Sequence, residues 1–216
     1  PDPDPKKGFD VVTYTGNGGT QNVGGALFEP GLIWIKNRNS TQGHSLYDSV
    51  RGFNKKVLSS SATTAETTET AGLIGVNPDG FSLSGNNTIV GGTNSNTNTY
   101  VAWTWRAGGP AVAKTSGTIN AEVSVSTDYG FSICKFTGTG TAGTIEHGLS
   151  TVPKWYMVKN LDTSPSEWNV FHVSTGETKR LKLNSNSAAQ TAANSWNNTA
   201  PTASLFTVGT DTDVNK

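Results

Sequence analysis

The sequence FDVVTYTGNG, residues Phe9 to Gly18, returns later in the chain as FSICKFTGTG, residues Phe131 to Gly140. In each copy an alternating strand pattern runs into a Thr-Gly-x-Gly turn, and such alternation is typical of a strand with two different faces. The two copies start 131 − 9 = 122 residues apart. Because that spacing is the length of an ordinary domain, the repeat indicates two related β domains in tandem.

Further blocks recur in the same order and divide the 216 residues. LIWIKN, Leu32 to Asn37, is the most apolar run of the first half, and KWYMVKN follows Pro153 in the second. The pattern of short strands separated by Gly, Pro, Asn and Thr turns predicts an all-β chain of two tandem antiparallel β-sandwich modules, jelly-roll-like in form. We predict a linker at 1–7, repeat 1 at 8–109, an inter-repeat linker at 110–128 and repeat 2 at 129–216. Within this alignment, the predicted pairs are Pro30 with Pro153, Tyr47 with Phe171, Gly52 with Gly176, Lys55-Lys56 with Lys179-Arg180, and Phe81 with Phe206.

The last strand of repeat 1 has no counterpart in repeat 2. YVAWTWR, Tyr100 to Arg106, closes the first repeat, and nothing before Lys216 matches it. A missing strand leaves backbone donors and acceptors of its neighbours without partners. We therefore expect an open slot beside the last strand of repeat 2, or another chain in it, and we expect the chain to be an excerpt of a longer protein.

Composition excludes several classes of protein. Sixteen basic residues balance 16 acidic ones, without long blocks of either sign, so neither a nucleic-acid partner nor an anionic membrane is expected. No run is apolar and long enough for membrane insertion, and no signal peptide opens the sequence. A single cysteine, Cys134, excludes an intrachain disulfide, and its place in a strand predicts a small buried side chain.

The motif order carries a family resemblance. YTGNG, PGLIWIKNR, HSLYDSVRG, DGFSL and YVAWTWRAGG follow one another, and NVFHVSTG belongs to the second repeat. The chain resembles tandem uncharacterised β-repeats of tailed-bacteriophage virion structural proteins, which often stand behind a SPRY or concanavalin-like domain. The resemblance covers nearly all of residues 8–216, but no SPRY-like region is present.

This resemblance implies a function without chemistry. It implies a module on the virion exterior, made in the host cytoplasm, in a tail fibre, an appendage or a capsid decoration. There it would act as a rigid repeated display or attachment element, with other virion proteins as partners and as a homo-oligomer on the particle. The alternative is a carbohydrate-binding adhesin module that recognises a host surface glycan.

Six tryptophans bear on that alternative, because flat aromatic rings stack on sugars. Trp103 and Trp105 are two apart and so share one face of a strand, and we expect them to fill the core. Trp155 lies in a strand and is expected to be structural as well. Trp168 and Trp196 lie nearer loops and are the candidates for an exposed glycan platform.

No catalytic, metal or cofactor site is predicted. His44, His147 and His172 lack the neighbouring ligands that a zinc site needs. The DTDVN stretch from Asp211 to Asn215 has alternating oxygen donors, but it lacks the Gly and distant Glu of a calcium loop and is interpreted as a polar turn. Carboxylates are scattered beside turns, and no acidic position recurs in both repeats, so we expect no enzyme.

Two further segments carry expectations about exposure. In DSVRG, Arg51 can pair with Asp48 at a strand end, and an exposed pair of this kind stabilises little. The stretch from Ser59 to Thr70, almost entirely Ser, Thr, Ala and Glu, is predicted to be an exposed loop or edge.

Overall fold

The computed structural model describes residues 3–53, 56–69, 71–85 and 90–216. The chain forms two compact units, the first made of Pro1–Ser60 and Glu66–Pro110, the second of Ser61–Ala65 and Ala111–Lys216. No helix among the described residues has the length and apolar character needed to span a membrane. The prediction of an all-β chain built from antiparallel sheets is confirmed.

The described residues of the first unit form nine strands. They are β1 (Phe9–Thr15), β2 (Thr20–Gly24), β3 (Leu32–Asn37), β4 (His44–Asp48), β5 (Lys56–Val57), β6 (Thr67–Thr68), β7 (Leu73–Asn77), β8 (Gly80–Ser84) and β9 (Thr99–Trp105). Before β1, within the predicted linker, Pro5–Lys7 forms one 3-10 turn. Proline fits the first position of such a turn, and the Asp4 side chain accepts a hydrogen bond from the Lys6 N–H at 3.0 Å. Pro1 and Asp2 of the predicted linker lie outside the described residues.

Two antiparallel sheets enclose the core of the first unit. One has the strand order β1-β9-β3-β4 and the other β2-β8-β7. The first and last strands are neighbours in one sheet, and β2 and β8 in the other, as in a jelly roll; the β3-β4 hairpin within one sheet departs from that pattern. Buried side chains from both sheets, including Val12, Ile33, Phe81 and Tyr100, form a single hydrophobic cluster.

Strand β9 lies in the centre of its sheet. Tyr100, Ala102 and Thr104 point inward and are 0% exposed. The Tyr100 ring stacks on Tyr14 of β1 with centroids 5.0 Å apart, and the Tyr100 hydroxyl accepts a hydrogen bond from the Ser95 N–H at 2.8 Å. The closing strand therefore contributes both backbone pairing and core volume.

The second unit contains nine further strands and one helical turn. They are β10 (Val112–Lys114), β11 (Ala121–Ser126), β12 (Phe131–Phe136), β13 (Gly143–Glu146), β14 (Trp155–Val158), β15 (Asn169–His172), β16 (Lys179–Lys182), β17 (Gln190–Thr191), α1 (Ala193–Trp196) and β18 (Leu205–Val208). Their sheets have the orders β10-β11-β12, β14-β15-β16-β17 and β13-β18. The strands that correspond to β1, β3 and β4 are β12, β14 and β15, as the repeated motifs predict.

The second core uses the positions predicted from the repeat. Phe171 and Phe206, paired in sequence with Tyr47 and Phe81, belong to its buried cluster. Cys134 is a free thiol packed against this cluster, and burial raises its pKa to about 11, so the thiol stays protonated and behaves as a small apolar side chain. The predicted partner position Lys55 lies outside the described residues.

The predicted inter-repeat linker at 110–128 is wrong. Residues 111–128 belong to the second unit, and β11 pairs on one side with β10 and on the other with β12. Its Ala121 and Val123 side chains are 5% and 2% exposed and join the core. The alternation within Thr118 to Ser126 fits a short edge strand, but β11 is paired on both sides and its alternate side chains enter the core.

The stretch from Ser59 to Thr70 is also less exposed than predicted. Ser59, Ser60 and Glu69 are 6%, 4% and 3% exposed, and Thr67–Thr68 forms β6, which pairs with β5. Thr70 lies outside the described residues. Small polar residues can be buried where backbone groups satisfy them, which composition does not reveal.

The ion pair between Asp48 and Arg51 is buried, contrary to the sequence prediction. Their side chains are 9% and 6% exposed, and Arg51 Nε lies 2.5 Å from Asp48 Oδ2. Arg51 Nη1 lies 3.0 Å from Glu66 Oε2, and Nη2 donates to the Leu46 carbonyl. One guanidinium thus joins the end of β4 to the segment that precedes β6, a partner 15 residues away that local sequence does not indicate.

We expect Arg51→Met to destabilise the first unit by about 3–5 kcal/mol, because it leaves the Asp48 carboxylate buried without its cation. Hydrogen exchange measured along a urea titration reports the unfolding free energy of each unit separately.

The matched control is Lys135→Met. Lys135 and Glu122 form an exposed pair at 3.9 Å with side chains 47% and 62% exposed, so this change should cost only about 0–1 kcal/mol. Equal losses of unfolding free energy in the two variants would show that the buried Arg51 ion pairs stabilise the fold no more than an exposed pair does.

Candidate functional site

The outer face of the β1-β9-β3-β4 sheet carries the tryptophans that were predicted to fill the core. Tyr100, Ala102 and Thr104 take the inward positions of β9, so Trp103 and Trp105 must point outward. The prediction of core positions for this pair is therefore wrong. Both faces of β9 carry aromatic residues, and sequence alternation alone does not reveal which face is inside.

Strand register brings further apolar side chains to this surface. Trp103 lies opposite Val11 on β1 and opposite Trp34 on β3, while Trp105 lies opposite Phe9. Cross-strand neighbours on one face of a sheet contact each other directly. With His44, these side chains form what we call the aromatic face: Phe9, Val11, Trp34, His44, Trp103 and Trp105.

The rings of the aromatic face meet at an angle. The Trp34 centroid lies 6.2 Å from Trp103 at 73°, and 6.4 Å from Trp105 at 34°. Phe9 packs on Trp105 at 4.9 Å. Phe9 remains 41% exposed and Val11 46%, so the face presents a stepped, apolar and partly solvated surface.

His44 closes one end of the aromatic face. The Trp34 indole N–H donates to His44 Nδ1 at 2.7 Å, and the imidazole lies parallel to Trp103 at 13° with centroids 6.4 Å apart. Burial, assisted by the charge of Lys36, lowers the pKa of His44 below its ordinary value of 6.5. The imidazole is therefore neutral at pH 7, with its proton on Nε2.

The chemistry of the aromatic face is that of a contact surface. None of its six residues is an acid, and its one titratable group is a neutral imidazole engaged with Trp34. The nearby Lys36 ammonium is held by the carbonyls of Asn37 and Ser40. Such a surface can bury apolar area against another molecule.

The predicted glycan platform is not exposed. Trp168 and Trp196 are 4% and 0% exposed, and Trp196 packs edge-on against Tyr156 and Phe171 in the second core. Its indole N–H donates to the Lys179 carbonyl at 3.0 Å. Both tryptophans lie near loops in sequence, but the interior of this unit has few large aliphatic residues and draws them in.

Trp155 also departs from expectation. It was predicted to be structural, yet it is 46% exposed on β14. It occupies the sequence position of Leu32 in the first unit, which is 8% exposed. The sequence pattern placed Trp155 in a strand, but it did not indicate whether other residues cover the outer side of that strand.

The candidate metal ligands have other roles. Asp211 Oδ2 accepts hydrogen bonds from Arg180 and from the Ser195 hydroxyl, and Oδ1 accepts from the Asp213 N–H. His147 accepts from the Leu149 N–H and faces the Thr202 carbonyl. Within the described ranges, no three His, Cys, Asp or Glu side chains converge as metal ligands.

Glu69 is a buried titratable residue that sequence reasoning placed in an exposed loop. Its Oε1 accepts the Val90 N–H at 3.1 Å, while Oε2 has no hydrogen-bond partner among the described residues. Burial raises the pKa of this carboxyl to about 7, although the Val90 hydrogen bond opposes the shift. The low-complexity segment around Glu69 gives no signal of this burial.

We expect NMR titration to place the His44 pKa below 6.5, with the Trp34 indole N–H signal shifting at the same midpoint, because an imidazolium Nδ1 cannot accept the bond. Since the folded-state pKa is lowered, the stabilisation by neutral His44 is complete above about pH 6.5 and is lost as the pH falls toward the folded-state value.

The variant Trp34→Phe removes the donor and keeps an aromatic ring, so the His44 pKa should move upward. A His44 midpoint at or above 6.5, or an indole signal that ignores it, would contradict this assignment.

Comparison with known proteins adds one relationship. No curated protein and no solved structure matches the chain. One family model does match, over residues 4–216, and so spans both units. The chain therefore belongs to the family described as a domain of unknown function, DUF7483.

Proposed function

We propose that this protein is a structural module of the exterior of a bacteriophage virion, in a tail fibre, an appendage or a capsid decoration. It acts as a rigid repeated element that displays or attaches other parts of the particle. The observation that carries the proposal is the aromatic face, an apolar contact surface on the outer side of a four-stranded sheet. The sequence resemblance to tandem β-repeats of phage virion proteins agrees with it.

The composition of the aromatic face fits a protein partner. Buried centres of protein interfaces are rich in Trp, Tyr and Phe and poor in charged residues. Three tryptophans and a phenylalanine within one face provide that chemistry, and the sheet holds them without the entropic cost of ordering a loop. The partner is another virion protein or a second copy in a homo-oligomer, and repetition on the particle multiplies weak contacts.

A second candidate function is recognition of a host surface glycan. Trp103 and Trp105 project from the same side of one strand and leave ring surface accessible, which favours this candidate. The tilt between neighbouring rings disfavours it, because sugars stack best on flat, open ring faces. If a glycan binds, the aromatic face replaces the buried Trp168 and Trp196 as its platform.

The location of the protein is the first test. We expect mass spectrometry to detect it in purified phage particles at many copies each, and antibody labelling in the electron microscope to mark the outer surface. Its absence from infectious particles would reject the proposal.

The aromatic face is tested with the double variant Trp103→Thr/Trp105→Thr, since threonine keeps strand propensity and removes the rings. Truncation of an interface tryptophan typically costs about 2 kcal/mol or more of binding free energy. We therefore expect self-association, measured by sedimentation equilibrium, to weaken at least about tenfold. If the partner is another virion protein, binding to particles that lack this protein should weaken by the same factor.

Trp155→Thr is the matched control, because it removes an exposed tryptophan outside the aromatic face. A glycan array run with the same three proteins separates the two functions. Glycan binding that only the double variant loses would favour the adhesin, whereas unchanged association of the double variant would exclude the aromatic face as the contact.

A further inference from the structure

Among its described residues, the second unit has no strand in the position that β9 occupies in the first unit. In the first unit β9 pairs with β1 on one side and β3 on the other. In the second unit β12 lies at the end of the order β10-β11-β12, and β14 lies at the end of β14-β15-β16-β17. No strand among the described residues joins these two edges, and we call the space between β12 and β14 the slot. The slot adjoins these two strands and not β18, the last strand, where the sequence placed it.

The residues that precede β9 in the first unit and the last residues of the second unit are anchored in the same way. Asn94 Oδ1 accepts the Asn17 N–H at 2.9 Å, and Asn215 Oδ1 accepts the Thr139 N–H at 2.7 Å. Each amide also donates to the carbonyl two residues further along, at 2.6 and 2.7 Å. The two asparagines are 215 − 94 = 121 residues apart, the same interval as the repeat within one residue.

A close backbone contact at the end of the slot shows which residue of the second unit corresponds to Ser95 of the first. A Cβ on Gly16 would lie 2.3 Å from the Ser95 carbonyl oxygen, and a Cβ on Gly138 would lie 2.3 Å from that of Lys216. Glycine is needed at both sites because the neighbouring backbone fills the space of a side chain. Lys216 thus occupies the place of Ser95, four positions before Thr99 begins β9.

Side chains beside the slot lack the cover that β9 gives their counterparts. Ile33 on β3 is 0% exposed, whereas Tyr156 at the same position of β14 is only partly buried. Leu32 is 8% exposed and its counterpart Trp155 46%. The Tyr156 hydroxyl is buried and makes no hydrogen bond among the described residues. The greater exposure and the missing hydrogen bond are both expected where a neighbouring strand is absent.

The pattern of β9 defines what the slot accepts. Its inward residues are an aromatic, a small and a hydroxyl side chain, Tyr100, Ala102 and Thr104. The Thr104 position lies opposite Ile33, and hence opposite Tyr156 in the second unit, where a hydroxyl can meet the unbonded phenol. Phe136 stands at the position of Tyr14 and offers the ring on which Tyr100 stacks in the first unit.

We propose that the slot binds one extended segment with the β9 pattern, antiparallel to β12 and β14 and entering from the end at which Lys216 lies. The added strand joins the three-stranded and four-stranded sheets into one, as β9 joins β1 to the β3-β4 hairpin. This is β-strand addition, in which backbone hydrogen bonds give affinity and alternate side chains give specificity. It rests on the geometry of the second unit and is independent of the proposed function.

The experiment adds the strand to the whole chain. A copy of residues 96–107, NTNTYVAWTWRA, is appended directly after Lys216, because Lys216 stands where Ser95 precedes that segment. Hydrogen exchange is compared with the unextended chain. We expect the alternate amides of β12 and β14 that point away from β11 and β15 to exchange at least about tenfold more slowly in the extended chain.

In the control, the appended segment carries Arg at the position copied from Ala102. Ala102 itself is 0% exposed in the first unit. A buried unpaired charge should prevent insertion, so this control should exchange like the unextended chain. Unchanged protection within the β15-β16 pair shows that the control remains folded.

Three results would overturn the proposal. One is a lack of added protection in the extended chain, and another is equal protection by the Arg control. The third is protection that depends on protein concentration, which would mean that a second molecule, and not the segment entering at Lys216, fills the slot.

Discussion

The hydrogen-bonded pairing of β9 with both β1 and β3 is the constraint on which the first unit depends. A strand in the interior of a sheet satisfies two rows of backbone donors and acceptors at once, and each unpaired buried group is costly. Residues from the two ends of the unit meet here, because β1 opens the module and β9 closes it. The inward side chains of β9 also fill the space between Tyr14 and Ile33, so pairing and packing depend on the same seven residues.

The outer side of the same strand makes the aromatic face. Trp103 lies opposite Trp34 and Trp105 lies opposite Phe9, so the pairing of β9 with both neighbours assembles the aromatic face. In the second unit, β12 and β14 carry Ile133 and Met157 at the positions of Val11 and Trp34, and no strand among the described residues pairs with both. The two units therefore share a core plan and differ in the surface that they offer.

Sequence predicted the repeat, the all-β class and the order of the strands, because turn residues and period-two alternation are local signals. Which face of each strand points inward was harder to predict. Both faces of β9 carry aromatic residues, and the structure turns Tyr100 inward and Trp103 outward. For Trp196, proximity to loops suggested exposure, although the helical turn Ala193–Trp196 directs the ring into the core. The contact of Arg51 with Glu66 and the burial of Glu69 depend on segments distant in sequence, and the composition around them does not indicate either.

The position of β9 also sets an order of events during synthesis. The hairpins β3-β4 and β7-β8 join strands that are close in sequence and can pair as soon as they leave the ribosome, whereas the β1-β9 ladder joins residues as far apart as Phe9 and Trp105. Contacts of such long sequence separation close late, because the entropy of a large loop must be overcome first. Until the Tyr-Val-Ala-Trp segment has been translated, β1 has no partner in its sheet, and the edges of β1 and β3 that β9 later pairs remain open.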